Sequence, residues 1–188
     1  MSSSNLISTQ RIRNSQQSGN QSEHEWAPNF FESFGWQYQP SSREENLKQH
    51  FDFWISRFGQ DLKIEVKAPK RCWNRNHEGL ELILCEHTGI AGFRGWIFGE
   101  ADFILQFIDC KTALVYQRES LVDKLPEPEG IKRYESNQAP IGEWFGRVGM
   151  SRNGYPNEDI IRWDLLDWYL QNTWSSLYQI KENKWIQI

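Results

Sequence analysis

Asp52, Glu65 and Lys67 are the residues of this chain whose types and spacing can do chemistry, and one stretch holds all three: FDFWISRFGQDLKIEVK, residues 51–67. From Lys63 to Lys67 charged and apolar residues alternate, the period of a β-strand. Alternate strand residues share a face, so Glu65 and Lys67 point one way and Ile64 and Val66 the other. HFDFWIS reads as the preceding strand and RFGQD as the turn, with Gly59 inside it. If the hairpin centres between Phe58 and Gly59, Asp52 lies opposite Glu65. If Gly59 and Gln60 are the middle pair, Asp52 lies opposite Lys67. Both registers bring Asp52 to the Glu65/Lys67 face, and a one-residue slip reverses it.

Directly opposed strand residues have Cβ atoms about 4.5–5.5 Å apart. Two carboxylates at that separation can share one divalent cation, because Mg²⁺–oxygen bonds are about 2.0–2.1 Å. The Val66 backbone carbonyl is a candidate third ligand, with water completing the shell. A bound Mg²⁺ or Mn²⁺ would polarise a phosphoryl oxygen and acidify its water. Lys67 beside it could orient or deprotonate the attacking water, or stabilise charge on the phosphate. These are the components of phosphodiester hydrolysis. Glu-x-Lys is also common on amphipathic strands, where it makes cross-strand charge pairs on a wet sheet face.

The elements that must position these residues follow from hydrophobic spacing. EHEWAPNFFESF, 23–34, reads as a helix with Trp26, Phe30 and Phe34 on one face, and Pro28 either kinks it or marks its first turn. GWQYQP is a short strand candidate, and SSREENLKQ a polar connection that can form a helical turn. LELILCEH is a further strand, GIAGFRGWIFGE a glycine-rich loop, and ADFILQFID and TALVYQR a hairpin around Asp109–Lys111. ESLVDKL is a short helix, PEPEGIKRYESNQAPIGEW a long surface loop, and EDIIRWDLLDWYLQNTW carries helical spacing over part or all of its length. There is no internal repeat. The order predicts a mixed α/β single domain, with a central mixed β-sheet flanked by helices over residues 23–188.

Residues 1–22 are Ser/Asn/Gln-rich without an apolar signal core and read as a disordered arm. The alternative is a basic, Ser-rich organellar presequence. No apolar run approaches the roughly 18 residues that span a membrane. Cys72, Cys85 and Cys110 are odd in number and far apart, which argues against a disulfide framework or a CxxC zinc site and for a reducing, cytoplasmic compartment. The ten tryptophans read as core filling. Net charge is −4, unlike a general nucleic-acid binder, yet Lys63, Lys67, Lys70, Arg71 and Arg75 face only Glu65 within their span, a local basic patch.

An acid-bearing helix, an Asp on one strand and Glu-x-Lys on the next resembles the PD-(D/E)XK nuclease superfamily. The order VKAPKR, ELILCEHTGIAGFRGWIFGEADFILQF, TALVYQRESL, EDIIRWDLLDWYL is similar to a phage and bacterial group within it, over roughly residues 23–168. Phe51 stands where the superfamily often has proline. The resemblance implies a restriction-endonuclease-like core, with Asp52 and Glu65 as metal ligands and Lys67 as the catalytic lysine. It implies a helix acid, with Glu23 favoured, then Glu25, and Glu32 further along. It makes Glu86 either a substrate-facing acid near the metal or a strand-end surface acid. Lys70 and Arg71, with Arg75, become phosphate contacts on DNA that is duplex, branched or single-stranded. Trp96 reads as core and Asp102 as a turn or strand-start residue. His77 and His87 take no assigned role.

Three functions therefore compete: a Mg²⁺- or Mn²⁺-dependent deoxyribonuclease; a catalytically inactive nuclease-fold module binding DNA or a protein partner; and a Trp-rich structural or carbohydrate-binding domain. The first is favoured. A homodimer is compatible with it, as is a host's cytoplasm if the chain is phage-encoded.

Overall fold

The architecture is a computed structural model that describes residues 17–69, 81–89, 92–134, 138–147 and 159–188. Eleven strands are seen among these residues. They are β1 (Gln37–Pro40), β2 (Phe53–Arg57), β3 (Gln60–Lys67), β4 (Leu82–Thr88), β5 (Phe103–Phe107) and β6 (Thr112–Gln117), followed by β7 (Lys132–Tyr134), β8 (Phe145–Arg147), β9 (Ile160–Leu165), β10 (Ser175–Lys181) and β11 (Lys184–Gln187).

Seven strands form one sheet in the order β1-β2-β3-β5-β6-β10-β11, mixed because β3 and β5 run parallel. The other four make a second sheet, β4-β9-β8-β7. Strict alternation along β3 decides which side of the large sheet each residue serves. Ile64 and Val66 join Leu105, Phe107 and Ala113 beneath Ala27, Phe30 and Phe31 of the N-terminal helix. On the opposite face Ile104, Leu114 and Tyr116 pack against Ile83 and Cys85 of β4, with Trp96 and Tyr169 in the same core. The layers are thus helix, seven-stranded sheet, four-stranded sheet, and the fold is mixed α+β in a single domain.

The N-terminal helix is continuous from Gln17, earlier than the expected boundary at residue 23, and residues 1–16 lie outside the described chain. Ser22–Trp26 is π-helical and Ala27–Ser33 α-helical. Pro28 supplies the cause, since its ring crowds the carbonyl four residues back and widens the turn.

Several expectations need correction. The polar SSREENLKQ segment is a full helix, Arg43–Gln49, closed by a capping box between Ser42 and Glu45. β4 is a strand as read, but it leaves the central sheet to pair with β9. The expected loop over 126–144 contains β7. Of the segment read as helical over part or all of its length, Leu166–Asn172 is helix, while Ile160–Leu165 is a strand. No helix among the described residues is long and apolar enough to cross a membrane.

Candidate active site

The β2–β3 hairpin closes through a two-residue turn, Phe58-Gly59, with Arg57 opposite Gln60. Gly59 has φ +79°, which glycine adopts without strain. This is the first of the two registers. Phe53 pairs with Ile64, the last pair of the ladder, and Asp52, one residue before β2, lies within reach of the Glu65 charge.

At Asp52 the regular ladder ends and the side chain takes over. The Asp52 backbone N–H donates to the Ile64 carbonyl at 2.8 Å, and its Oδ2 accepts the Val66 N–H at 2.7 Å. Its Oδ1 accepts from Asn46 Nδ2 at 2.6 Å. Asn46 belongs to the capped helix, which therefore fixes the carboxylate. An extended residue directs its N–H and C=O to the same strand edge, so the Val66 carbonyl also points towards Asp52.

Burial pushes the Asp52 carboxyl up to about 7, and the Glu65 charge adds to this against the opposing pull of Lys67 and two hydrogen bonds. Glu65 is only 5% exposed. One of its oxygens, Oε1, pairs with the Lys67 ammonium; the other, Oε2, is buried without a hydrogen-bond partner among the described residues. Desolvation lowers the Lys67 pKa, but the Glu65 and Asp52 carboxylates outweigh it and hold the amine above its ordinary value, with Glu86 adding to them. The Lys67 ammonium lies 5.4 Å from the ring centre of buried Trp96.

The N-terminal helix brings Glu23 into this field. Burial raises its carboxyl, the Asp52 charge raises it further, and His24 and Lys67 pull it down. Glu25 is exposed and accepts from Gln21, and Glu32 accepts from the Tyr38 hydroxyl. Glu23 is thus a helix acid that the Asp52 and Lys67 charges reach.

Other expected residues divide clearly. Asp102 immediately precedes β5 and accepts the Lys63 N–H at 2.7 Å, a structural role. The His87 ring packs edge-on to Phe98 and Trp144. Lys70, Arg71, Arg75 and His77 lie outside the described residues.

Sequence reasoning missed Asn46 and Gln106. Gln106 is buried opposite Lys67 on β5, and its amide nitrogen lies 3.3 Å from the Lys67 carbonyl oxygen and 3.1 Å from that of Ala68. It ties down the chain just past the lysine. Its signal was a lone polar residue inside the apolar run FILQFI. Asn46 had none, being one polar residue among many.

Among the described residues no group of three or more His, Cys, Asp and Glu side chains is arranged to hold a metal ion. Asp52 and Glu65 could together hold a cation, being neighbouring acids, one with its ionisation suppressed by burial and the other with an orphaned buried oxygen. Comparisons of the chain with protein-family models, curated proteins and solved structures find no match in any of the three.

Proposed function

We propose that this chain is a divalent-metal-dependent endonuclease of the PD-(D/E)XK type, hydrolysing DNA phosphodiester bonds. The carrying observation is the Asp52 carboxylate bonded to the Val66 N–H, between Glu65 and Lys67 on one strand, with a buried Glu65 oxygen unpartnered among the described residues. Asp52, Glu65 and the Val66 carbonyl would hold Mg²⁺ or Mn²⁺. When bound, the cation supplies Lewis-acid polarisation of the phosphoryl oxygen and an acidified water.

The protein's own groups do the rest. Lys67, aimed by the Trp96 face and by the Gln106 clamp behind it, orients the attacking water and neutralises charge growing on the phosphate. The Glu86 charge helps hold the Lys67 ammonium, and Lys67 in turn pulls down the Glu23 carboxyl. Lys70, Arg71 and Arg75, following the active strand, contact the phosphates that position the DNA. Free Cys85 and Cys110 suit a cytoplasmic setting.

The direct Lys67–Glu65 ion pair favours a second reading, in which the lysine itself neutralises the acids and the fold binds DNA or a protein without cutting. Cleavage assays separate the two. Duplex, single-stranded, flap and four-way-junction DNA are incubated with Mg²⁺ or Mn²⁺, beside Asp52→Ala, Lys67→Ala and an EDTA blank. Metal-dependent cutting lost in both variants supports the nuclease. Binding without cutting, unchanged in both variants, leaves the module.

A further inference from the structure

Phe58 sits at the tip of the β2–β3 hairpin in a left-handed backbone conformation, φ +53°, and is 91% exposed. Bulky side chains rarely adopt that conformation, and two-residue turns of this kind favour Asn or Asp before Gly. The β10–β11 turn of the same molecule uses Glu182 and Asn183 at φ +49° and +62°, polar residues at a comparable bend. Phe58 thus strains its turn and buries almost nothing in return, a combination that points to function outside the fold. The Arg57 guanidinium lies 4.6 Å from its ring centre, so the tip presents an aromatic face and a cation together.

The tip also projects. β3 gains its neighbour β5 only from Ile64 onwards, so on that side Gln60–Leu62 overhang the sheet. Six residues of strand, roughly 20 Å, separate the tip from Glu65. The same two strands therefore carry the acids at one end and the aromatic at the other.

We infer that Phe58 is a base-stacking wedge that selects nucleic acid with unstacked bases, at a flap, branch or single strand, over intact duplex. The inference rests on the nuclease reading and names its substrate class. Base–aromatic stacking is sequence-tolerant, and a guanidinium beside the ring adds a phosphate or cation–π contact. An intact duplex offers such a wedge no open step without unstacking.

The test is fluorescence anisotropy of the full chain with labelled flap DNA and matched duplex, with Ca²⁺ replacing Mg²⁺. Phe58→Asn suits the turn and removes the ring; Phe58→Trp keeps a stacking surface. The expected result is a flap preference in the wild type, a loss of roughly 5- to 150-fold in flap affinity in Phe58→Asn, retention in Phe58→Trp, and no fall in the thermal midpoint of Phe58→Asn. Flap binding unchanged in Phe58→Asn overturns the wedge and leaves the nuclease reading standing. A Phe58→Asn effect confined to self-association also overturns it. Flap affinity lost in Phe58→Asn, in a wild type that cuts nothing with Mg²⁺, supports the wedge and overturns the nuclease. No DNA binding by the wild type overturns both.

Discussion

The Val66 N–H donates to Asp52 Oδ2 at 2.7 Å, so the carboxylate that would bind a cation also finishes the β2 edge of β3. Asp52 is in this way both a structural cap and a charge that the fold disfavours.

That conflict predicts a pH dependence. The folded-state pKa of Asp52 is raised from 3.8 to about 7. A raised pKa means that the folded state holds the proton more tightly than the unfolded chain. The stability this contributes is full below 3.8 and is lost as pH rises through 7. In metal-free buffer, Asp52→Asn removes this loss. Its stability relative to wild type should climb across that window by about 4 kcal/mol at most and level off above pH 7. Urea unfolding of both proteins between pH 4 and 8 checks the slope.

Lys67→Ala strands Glu65 beside Asp52. Removing one partner of a buried pair costs about 3–5 kcal/mol, and the lysine side chain is 22% exposed, so the lower end, about 3 kcal/mol, is expected at pH 8. Lys67→Met combined with Glu65→Gln should cost less than the sum of the single changes. A double-mutant cycle by chemical denaturation measures the difference.

Gln106→Leu leaves the Lys67 and Ala68 carbonyls without their side-chain donor. A destabilisation of about 1–3 kcal/mol is expected. If the clamp also aims the lysine, kcat falls while KM holds, whereas a purely structural role lowers only the folded fraction. Steady-state cleavage with active-site titration separates these.

Gly95 explains why the Trp96 support tolerates little change. A Cβ there would sit 2.0 Å from the Glu86 carbonyl oxygen, a backbone atom that cannot swing aside. Gly95→Ala should cost about 3 kcal/mol, the upper end for overpacking, read as a lowered thermal midpoint, and should impair any Lys67-dependent activity with it.

The hairpin was legible because two local signals agree: charge alternation along Lys63–Lys67, and a glycine where the turn needs positive φ. Those signals narrowed Asp52 to two positions, and the Arg57–Gln60 closure selects one. The second sheet was not legible, because β4 pairs with β9, about eighty residues on, and no local pattern encodes a distant partner. β9 misled for a physical reason. Ile161, Leu165, Trp168 and Tyr169 fall at helical spacing across the strand–helix boundary, which masks the strand-period alternation of Ile161, Trp163 and Leu165 with Arg162 and Asp164. β7 and β8 span three residues each, too short to show a period. Of the candidate site, the strand residues were readable, while Asn46 and Gln106 act through hydrogen bonds that only the folded arrangement creates.

The proposed function stands on cation binding by Asp52 and Glu65. Calorimetric titration of Mn²⁺ into the metal-free chain at pH 8 tests it directly, beside Asp52→Asn and Glu65→Gln. Saturable binding at one or two sites is expected in the wild type, lost or greatly weakened in both variants, with all three proteins folded. Binding absent from the wild type, or equal in all three, would contradict it.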